Sequence, residues 1–338
     1  MADTTDDSLM NRFDLNGLRC FRARDAVVAV TFVALLLVAI EGAAIRRAGE
    51  RMDPGIGRTL VLAVGRPAGW AADRLPFADL VDRATAGLSP DPPLDSAARL
   101  DRLMPGRRGV PPVTAAAFDP ADVGGKPPPR RPLRTLLVTG DSLSTPLDDH
   151  LARLLAPDGV RVIRDPHLGT GISKTFVVDW GQLSASQVRR YHPDAVVMFV
   201  GANEGFPMRD AAGDEIDCCG PDWAAVYANR VRRVAATYRQ GGAANVYWVA
   251  IPRLRDPDRD RIARVVNAAD AVAVAPWRAQ IRVVQTSSTF TPDGYRDAMP
   301  VDGRERLVRE SDGVHLNDLG AQILAEMVLR QIAADRAY

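Results

Sequence analysis

The chain has 338 residues, 46% hydrophobic and 25% charged, enough apolar material for one large or two modest domains with a sizeable core. Its 43 basic and 42 acidic side chains leave a formal net charge of +1, which gives no electrostatic reason to expect nucleic acid as a partner. With only Cys20, Cys218 and Cys219 there is no disulfide framework and no CxxC zinc or redox site, and the adjacent pair is expected to be two free thiols in a loop.

Residues 1–25 are polar and place Arg19, Arg22 and Arg24 just before an uncharged run, Ala26 to Ile40 (AVVAVTFVALLLVAI). With Glu41 set near an interface, the stretch 26–45 has the roughly 20 residues that a membrane-spanning helix needs. It reads as an uncleaved transmembrane anchor. The alternatives are a signal peptide cut near Gly42-Ala43-Ala44, for which the leader is long, and a core helix, which would show a polar stripe. Arginines flank both ends, so charge alone does not orient the span. A cytoplasmic N-terminal segment with the bulk of the chain outside the membrane is preferred because cysteine is scarce and because of the chemistry below.

Between residues 59 and 88, apolar residues such as Leu60, Val61, Val64, Trp70, Phe77 and Leu80 suggest one or two short amphipathic helices. They would pack on the following domain or lie at the membrane surface. A proline-rich tract follows, from Pro90 through Pro111-Pro112 to KPPPRRP at 126–132, and is read as an extended stalk. Residues 46–132 are thus expected to be an amphipathic segment and linker.

From residue 133 to 338 the pattern becomes that of one α/β domain. Short apolar runs, LLVT at 136–139, VRVI at 160–163, AVVMFV at 195–200, NVYWVAI at 245–251 and IRVVQ at 281–285, suit strands buried on both faces of a parallel sheet. Amphipathic helices lie between and after them. One presents Trp223, Tyr227, Val231, Val234 and Tyr238 on a single face; the last starts near the N-cap Asn317 and presents Ile323, Leu324, Met327, Val328 and Ile332. Five strands with intervening helices predict a doubly wound five-stranded parallel sheet, flavodoxin-like in layout.

In such sheets ligands bind at the carboxyl ends of strands, so the residues after each strand carry the chemistry. The first is followed by Gly140-Asp141-Ser142-Leu143, a tight turn that exposes a serine hydroxyl beside helix-start N–H groups. The second is followed by His167-Leu168-Gly169-Thr170-Gly171-Ile172, and the third by Gly201-Ala202-Asn203-Glu204, whose asparagine amide can donate toward the same space. Before the last helix stands Asp312-Gly313-Val314-His315. A carboxylate three residues before a histidine can hold Nδ1–H and leave Nε2 free to accept a serine proton. Each feature alone is also an ordinary turn; their order together is what argues for a site.

These four blocks resemble those of the SGNH or GDSL hydrolase superfamily, over about 200 residues from 133 to 338. The resemblance implies Ser142 as nucleophile, His315 as general base and then acid, and Asp312 as the orienting carboxylate. It implies an oxyanion hole made of the Ser142 and Gly171 N–H groups with the Asn203 side chain; Gly169 is the alternative to Gly171. Glu204 departs from the family, which more often has aspartate after the asparagine, at a position that does no chemistry there. Neither cofactor nor metal is expected, since no metal-ligand spacing occurs and the chemistry needs none.

Outside these blocks, His167 is a candidate pocket residue. Arg253, like Arg255, follows the fourth strand and is a candidate contact for an acidic substrate group, with Asp256, Asp258 and Asp260 as competing internal partners. His150, His192 and Trp180 read as structural. The resemblance and the anchor together point to removal of small acyl groups from envelope glycans or lipids outside the cell membrane. Transfer of the acyl group to a glycan hydroxyl, with a membrane acyltransferase as partner, is the alternative, and a non-catalytic scaffold a third.

Overall fold

The structure, a computed structural model, describes residues 113–126, 129–210 and 212–338, the pair 99–100, and positions 28, 59, 61, 63 and 67. Apart from those isolated positions, the expected anchor at 26–45 and the amphipathic segment at 59–88 lie outside the described residues, as does Cys20. Among the described residues no helix is long and apolar enough to cross a membrane. The chain divides into two compact units, Met1–Pro90 and Asp91–Tyr338, and the sheet belongs to the second.

That sheet has five parallel strands: β1 (Thr135–Gly140), β2 (Arg161–Pro166), β3 (Ala195–Phe199), β4 (Asn245–Val249) and β5 (Ile281–Val284). Their order is β2-β1-β3-β4-β5. Leu136 pairs with Val162 on one side and Ala195 on the other, so β1 is central. Central β1, β3 and β4 are continuous apolar runs because both faces are covered, and Leu136, Leu137, Val196, Val197, Tyr247 and Trp248 are fully buried. The edge strands keep Arg161, Arg164 and Arg282.

Five helices cover the sheet: α1 (Leu147–Leu155), α2 (Trp180–Tyr191), α3 (Pro221–Tyr238), α4 (Pro257–Val274) and α5 (Asp318–Asp335). Right-handed crossovers from β1 to β2 in one direction, and onward through β3, β4 and β5 in the other, put α1 on one face and α2, α3 and α4 on the opposite face. The packing agrees: α2, α3 and α4 lie side by side, while α1 meets α5. On α3 the expected apolar face is entirely buried, and Asn317 caps α5 by accepting the Gly320 N–H. Because the chain leaves β1 and β3 in opposite directions, their carboxyl ends open a crevice between them.

Where the proline-rich tract is described it lies on this unit. Leu100 is buried and its N–H donates to Asp179 at 2.8 Å. Ala115–Ala117 and Pro120–Val123 form short 3-10 turns, with Ala117 in the core and Asp122 accepting from Arg278 Nε at 2.8 Å. Proline opposes helices and ladders but not docking, and these apolar side chains have core positions to fill. The free-thiol expectation also changes. Cys218 and Cys219 are paired with each other as a disulfide in the loop before α3.

Candidate active site

The site begins at the end of β1. Gly140 has φ +145°, and a Cβ there would run into the Phe199 carbonyl of β3, so only glycine lets the two strand ends approach this closely. Beyond it Asp141 turns inward. Its Oδ2 accepts the N–H groups of Gly201 and Ala202 at 2.9 and 2.8 Å, and its Oδ1 accepts the Leu143 N–H at 2.9 Å. This buried carboxylate ties the β1 turn to the β3 loop. Burial, helped by the nearby Glu204 charge, pushes its pKa up to about 6 against the pull of those three N–H groups.

Ser142 then opens a 3-10 turn, Ser142–Ser144, and its Oγ lies 2.7 Å from His315 Nε2. His315 Nδ1 lies 2.5 Å from Asp312 Oδ2, while Asp312 Oδ1 accepts the N–H groups of Val314 and His315 at 2.8 and 3.0 Å. Burial alone would raise the Asp312 carboxyl. The hydrogen bond and charge of His315, with the two N–H groups, outweigh it and hold the carboxyl well below the usual range. The loop is braced from β4's side: Arg255 donates to the Ser311 carbonyl at 2.6 Å and to Asp297 at 2.5 Å, and buried Arg309 donates to the carbonyls of Arg253 and Gly313 at 3.0 and 3.3 Å. Arg309 is unforeseen in the sequence, being one of several arginines in a charged stretch.

The three groups implied for the oxyanion hole lie on neighbouring loops. Asn203 Nδ2 donates to the Thr170 carbonyl at 3.1 Å, which fixes its amide and leaves the second hydrogen a long 3.5 Å contact with Asp141. Gly171 is buried against the Asn203 loop: a Cβ on it would meet the Asn203 carbonyl oxygen at 2.9 Å. Gly169 has open space around it and φ +73°, so it shapes the turn while Gly171 makes the close approach. Glu204 holds that approach in place, accepting the N–H groups of Ile172 and Ser173 at 2.6 and 2.8 Å. Burial outweighs these donors and raises the Glu204 pKa.

The remaining candidates divide. His167 Nε2 lies 3.2 Å from Asp165 Oδ1, with its ring edge-on to buried Trp180 at 5.8 Å. Arg253 is held by Asp260, Nε to Oδ1 at 2.8 Å and Nη2 to Oδ2 at 2.7 Å, so an internal partner occupies the guanidinium expected to meet substrate. His150 bridges α1 to Asp318 at 3.0 Å, and His192 ends α2 in the left-handed conformation. The loops that carry Gly171 and Asn203 also bear exposed apolar side chains. Leu168 and Phe176 are 66% and 72% exposed, Phe176 meets Phe206 edge-to-face at 5.5 Å, and Lys174 Nζ lies 5.3 Å from the Phe206 ring centre.

Residues 135–331 match a protein family described as "Protein of unknown function (DUF459)". The chain belongs to this family. The blocks at its strand ends make this DUF459 chain a member of the SGNH hydrolase-like superfamily. Curated proteins include no match to it. Among solved structures, the DUF459 chain is similar to the C-terminal catalytic domain of Streptococcus pneumoniae peptidoglycan O-acetyltransferase A (OatA) with a methylsulfonyl adduct, at 15% identity and TM-score 0.36, covering 62% of this chain and 98% of that one. It is also similar to a member of the lipolytic protein G-D-S-L family from Veillonella parvula DSM 2008, at 11% identity and TM-score 0.38, covering 58% and 97%. A third similarity is to the lipase Lip_vut3 from a goat rumen metagenome, at 11% identity and TM-score 0.35, covering 60% and 99%.

Proposed function

We propose that the protein is a serine-dependent ester hydrolase that removes small, acetyl-like acyl groups from cell-envelope glycans or lipids through an acyl-serine intermediate. The observation that carries this reading is the relay from Ser142 Oγ to His315 Nε2 at 2.7 Å and from His315 Nδ1 to Asp312 at 2.5 Å. Each step then follows from the position of a proton. Ser142 Oγ attacks the ester carbonyl as its proton passes to Nε2, and Asp312 stabilises the imidazolium. The tetrahedral oxyanion sits among the Ser142 and Gly171 N–H groups and the Asn203 amide, where each donor is worth roughly 3 kcal/mol. His315 then protonates the leaving alcohol as the C–O bond breaks. Water, deprotonated by His315, attacks the acyl-serine and restores Ser142.

The glycan preference draws on the exposed ring of Phe176 and the half-buried ring of Phe206 that it meets, beside the loops carrying Gly171 and Asn203. Flat apolar faces suit the C–H faces of a pyranose, and Lys174 suits an acidic substituent on it. The same seat would serve a sugar acceptor, which keeps transfer to a glycan hydroxyl, working with a membrane acyltransferase, as the second reading. The stretch 26–45, apolar but for Glu41, supports a single-pass membrane anchor, and a catalytic unit outside the cytoplasm is the orientation that goes with an envelope substrate.

The test is p-nitrophenyl acetate hydrolysis by the purified full-length protein and its Ser142→Ala variant. Turnover that vanishes in the variant supports the reading; no turnover, or equal turnover in both, sinks it. Adding an acetyl-free envelope glycan and weighing the products by mass spectrometry separates hydrolysis from transfer.

A further inference from the structure

Four donors converge on the carboxylate of Glu204. Ile172 N–H and the Tyr227 hydroxyl reach Oε1 at 2.6 and 3.1 Å, and the N–H and hydroxyl of Ser173 reach Oε2 at 2.8 and 2.5 Å. The group is buried and touches three parts of the fold: its own β3 loop, the 171–173 loop after β2, and α3. From another side Arg230 Nη1 donates to the Ile172 carbonyl at 3.2 Å. Gly171 is pressed between these contacts, since a Cβ on it would stand 3.1 Å from both Cδ and Oε1 of Glu204.

We infer that Glu204 is a positioning residue: its carboxylate latches the 171–173 loop against Asn203 and so aims the Gly171 N–H at the oxyanion site. This rests on the reading of Ser142 as a nucleophile for acyl groups. The physical reason lies in what the donors require. An ionised carboxylate is an acceptor only, and four donors need just that; an amide would turn an N–H₂ group toward at least one of them. With the N–H groups of Ile172 and Ser173 directed at Glu204, the 171–172 and 172–173 peptides are fixed, and the Gly171 N–H lies one peptide earlier, in the unit whose Thr170 carbonyl accepts from Asn203, so Gly171 is held on both sides. Oxyanion stabilisation depends on donors that need no reorganisation when charge develops, so a loose loop loses rate while leaving ground-state binding nearly intact. Glutamate reaches the second loop where an aspartate, one methylene shorter, would stop nearer its own backbone, which gives the departure from the superfamily's usual residue a structural purpose.

The experiment compares full-length wild type, Glu204→Gln and Ser173→Ala by two independent readouts. The first is hydrogen–deuterium exchange at Ile172 and Ser173; the second is kcat and KM for p-nitrophenyl acetate. In Glu204→Gln the two amides should exchange faster while β1 and β3 stay protected, and kcat should fall about 10- to 100-fold with KM changed less than about 3-fold, below the full loss of one oxyanion donor. Ser173→Ala removes one donor of four and should cost kcat roughly 3-fold by the same argument. Wild-type exchange at both amides in Glu204→Gln, or an equal loss in kcat and rise in KM, would overturn the inference. Should that variant lose protection throughout the sheet, Ser173→Ala decides: wild-type kcat and exchange overturn the latch, and a selective loss supports it. A wild type that matches Ser142→Ala would sink the esterase reading, and the exchange at residues 172 and 173 still judges the latch.

Discussion

The Nδ1 of His315 lies 2.5 Å from Oδ2 of Asp312, and the three-residue spacing lets the same carboxylate cap the backbone N–H groups of Val314 and His315. One side chain thereby sets both the tautomer of the imidazole and the turn that presents it. Asp312→Asn keeps the size but offers Nδ1 a donor or a weaker acceptor, so the tautomer with the proton on Nε2, useless to Ser142, gains population. We expect kcat to fall on the order of 100- to 10,000-fold. The Asp312 side chain is 47% exposed, so the loss of its charge should cost less than about 1 kcal/mol of stability. Steady-state kinetics beside a thermal melt checks this; an active variant would mean that Asp312 shapes the loop and nothing more.

Gly171→Ala probes the approach of two loops. Its Cβ would meet the Asn203 carbonyl oxygen at 2.9 Å and Glu204 at 3.1 Å, in a region packed on every side. Neither neighbour can retreat without breaking hydrogen bonds, so the oxyanion donors should move apart. The expected cost is roughly 100-fold in kcat, comparable to the loss of one donor, with a stability cost of about 1–3 kcal/mol from overpacking. Gly169→Ala, in open space, should spare Asn203's loop and strain only its own turn. Equal kcat losses in the two variants would contradict the assignment of the close approach to Gly171.

The strands were legible because β1, β3 and β4 are covered on both faces and so read as unbroken apolar runs at 136–139, 195–200 and 245–251. The α3 face from Trp223 to Tyr238 was legible for the same reason, one buried stripe at helical spacing. What escaped are features made by contacts between distant segments. Glu204 looks like an altered motif position until Ile172 and Ser173, some thirty residues earlier, are seen to reach it. Leu100 shows no pattern of its own within a proline-rich tract, and only the Asp179 carboxylate explains its place. The hairpin Ala298–Val301 with Arg304–Leu307 escaped because its first strand is short, half-buried and interrupted by Pro300, and its second is charged and exposed, so neither shows an alternation of burial.

Stability should depend on pH through the buried acids below Ser142. The pKa of Asp141 is raised to about 6 from an ordinary 3.8, so the folded state favours the protonated form. Its contribution is fully present below 3.8 and is lost as pH rises through about 6. Glu204 and Asp270, also raised by burial, act with the same sign. Asp312, Asp165 and Asp260 are lowered, so their stabilisation is complete above the ordinary carboxylate range and is lost only in stronger acid. From pH 5 to pH 8 the Asp141 effect therefore runs unopposed by them, and it amounts to on the order of 1–2 kcal/mol. Urea denaturation of wild type and Asp141→Asn at both pH values is the check. The variant exchanges one of the two acceptor oxygens that serve Leu143, Gly201 and Ala202 for an N–H₂ donor at every pH, but its deficit should shrink by that amount at pH 8; a constant deficit would show that the charge of Asp141 is not what the fold resists.

The rim around the site makes a prediction that separates binding from chemistry. Phe176 is 72% exposed and contacts Phe206, which stands three residues beyond Asn203, so the proposed glycan seat is this ring pair beside the loops that carry Gly171 and Asn203. The exposed Phe176 ring lies outside the core, so its removal leaves the core intact. Phe176→Ala should change hydrolysis of p-nitrophenyl acetate less than about 2-fold, because a two-carbon acyl ester does not extend that far, and should shift the melting point little. On an O-acetylated glycan the same variant should raise KM about 5- to 20-fold with kcat preserved, the mark of binding lost equally from ground and transition states. Lys174→Ala should mimic it only for glycans that carry acidic groups, since the ammonium near Phe206 acts on charge rather than on ring shape. If Phe176→Ala depresses the two substrates alike, the ring supports the loop and not the sugar, and the glycan preference loses its structural argument.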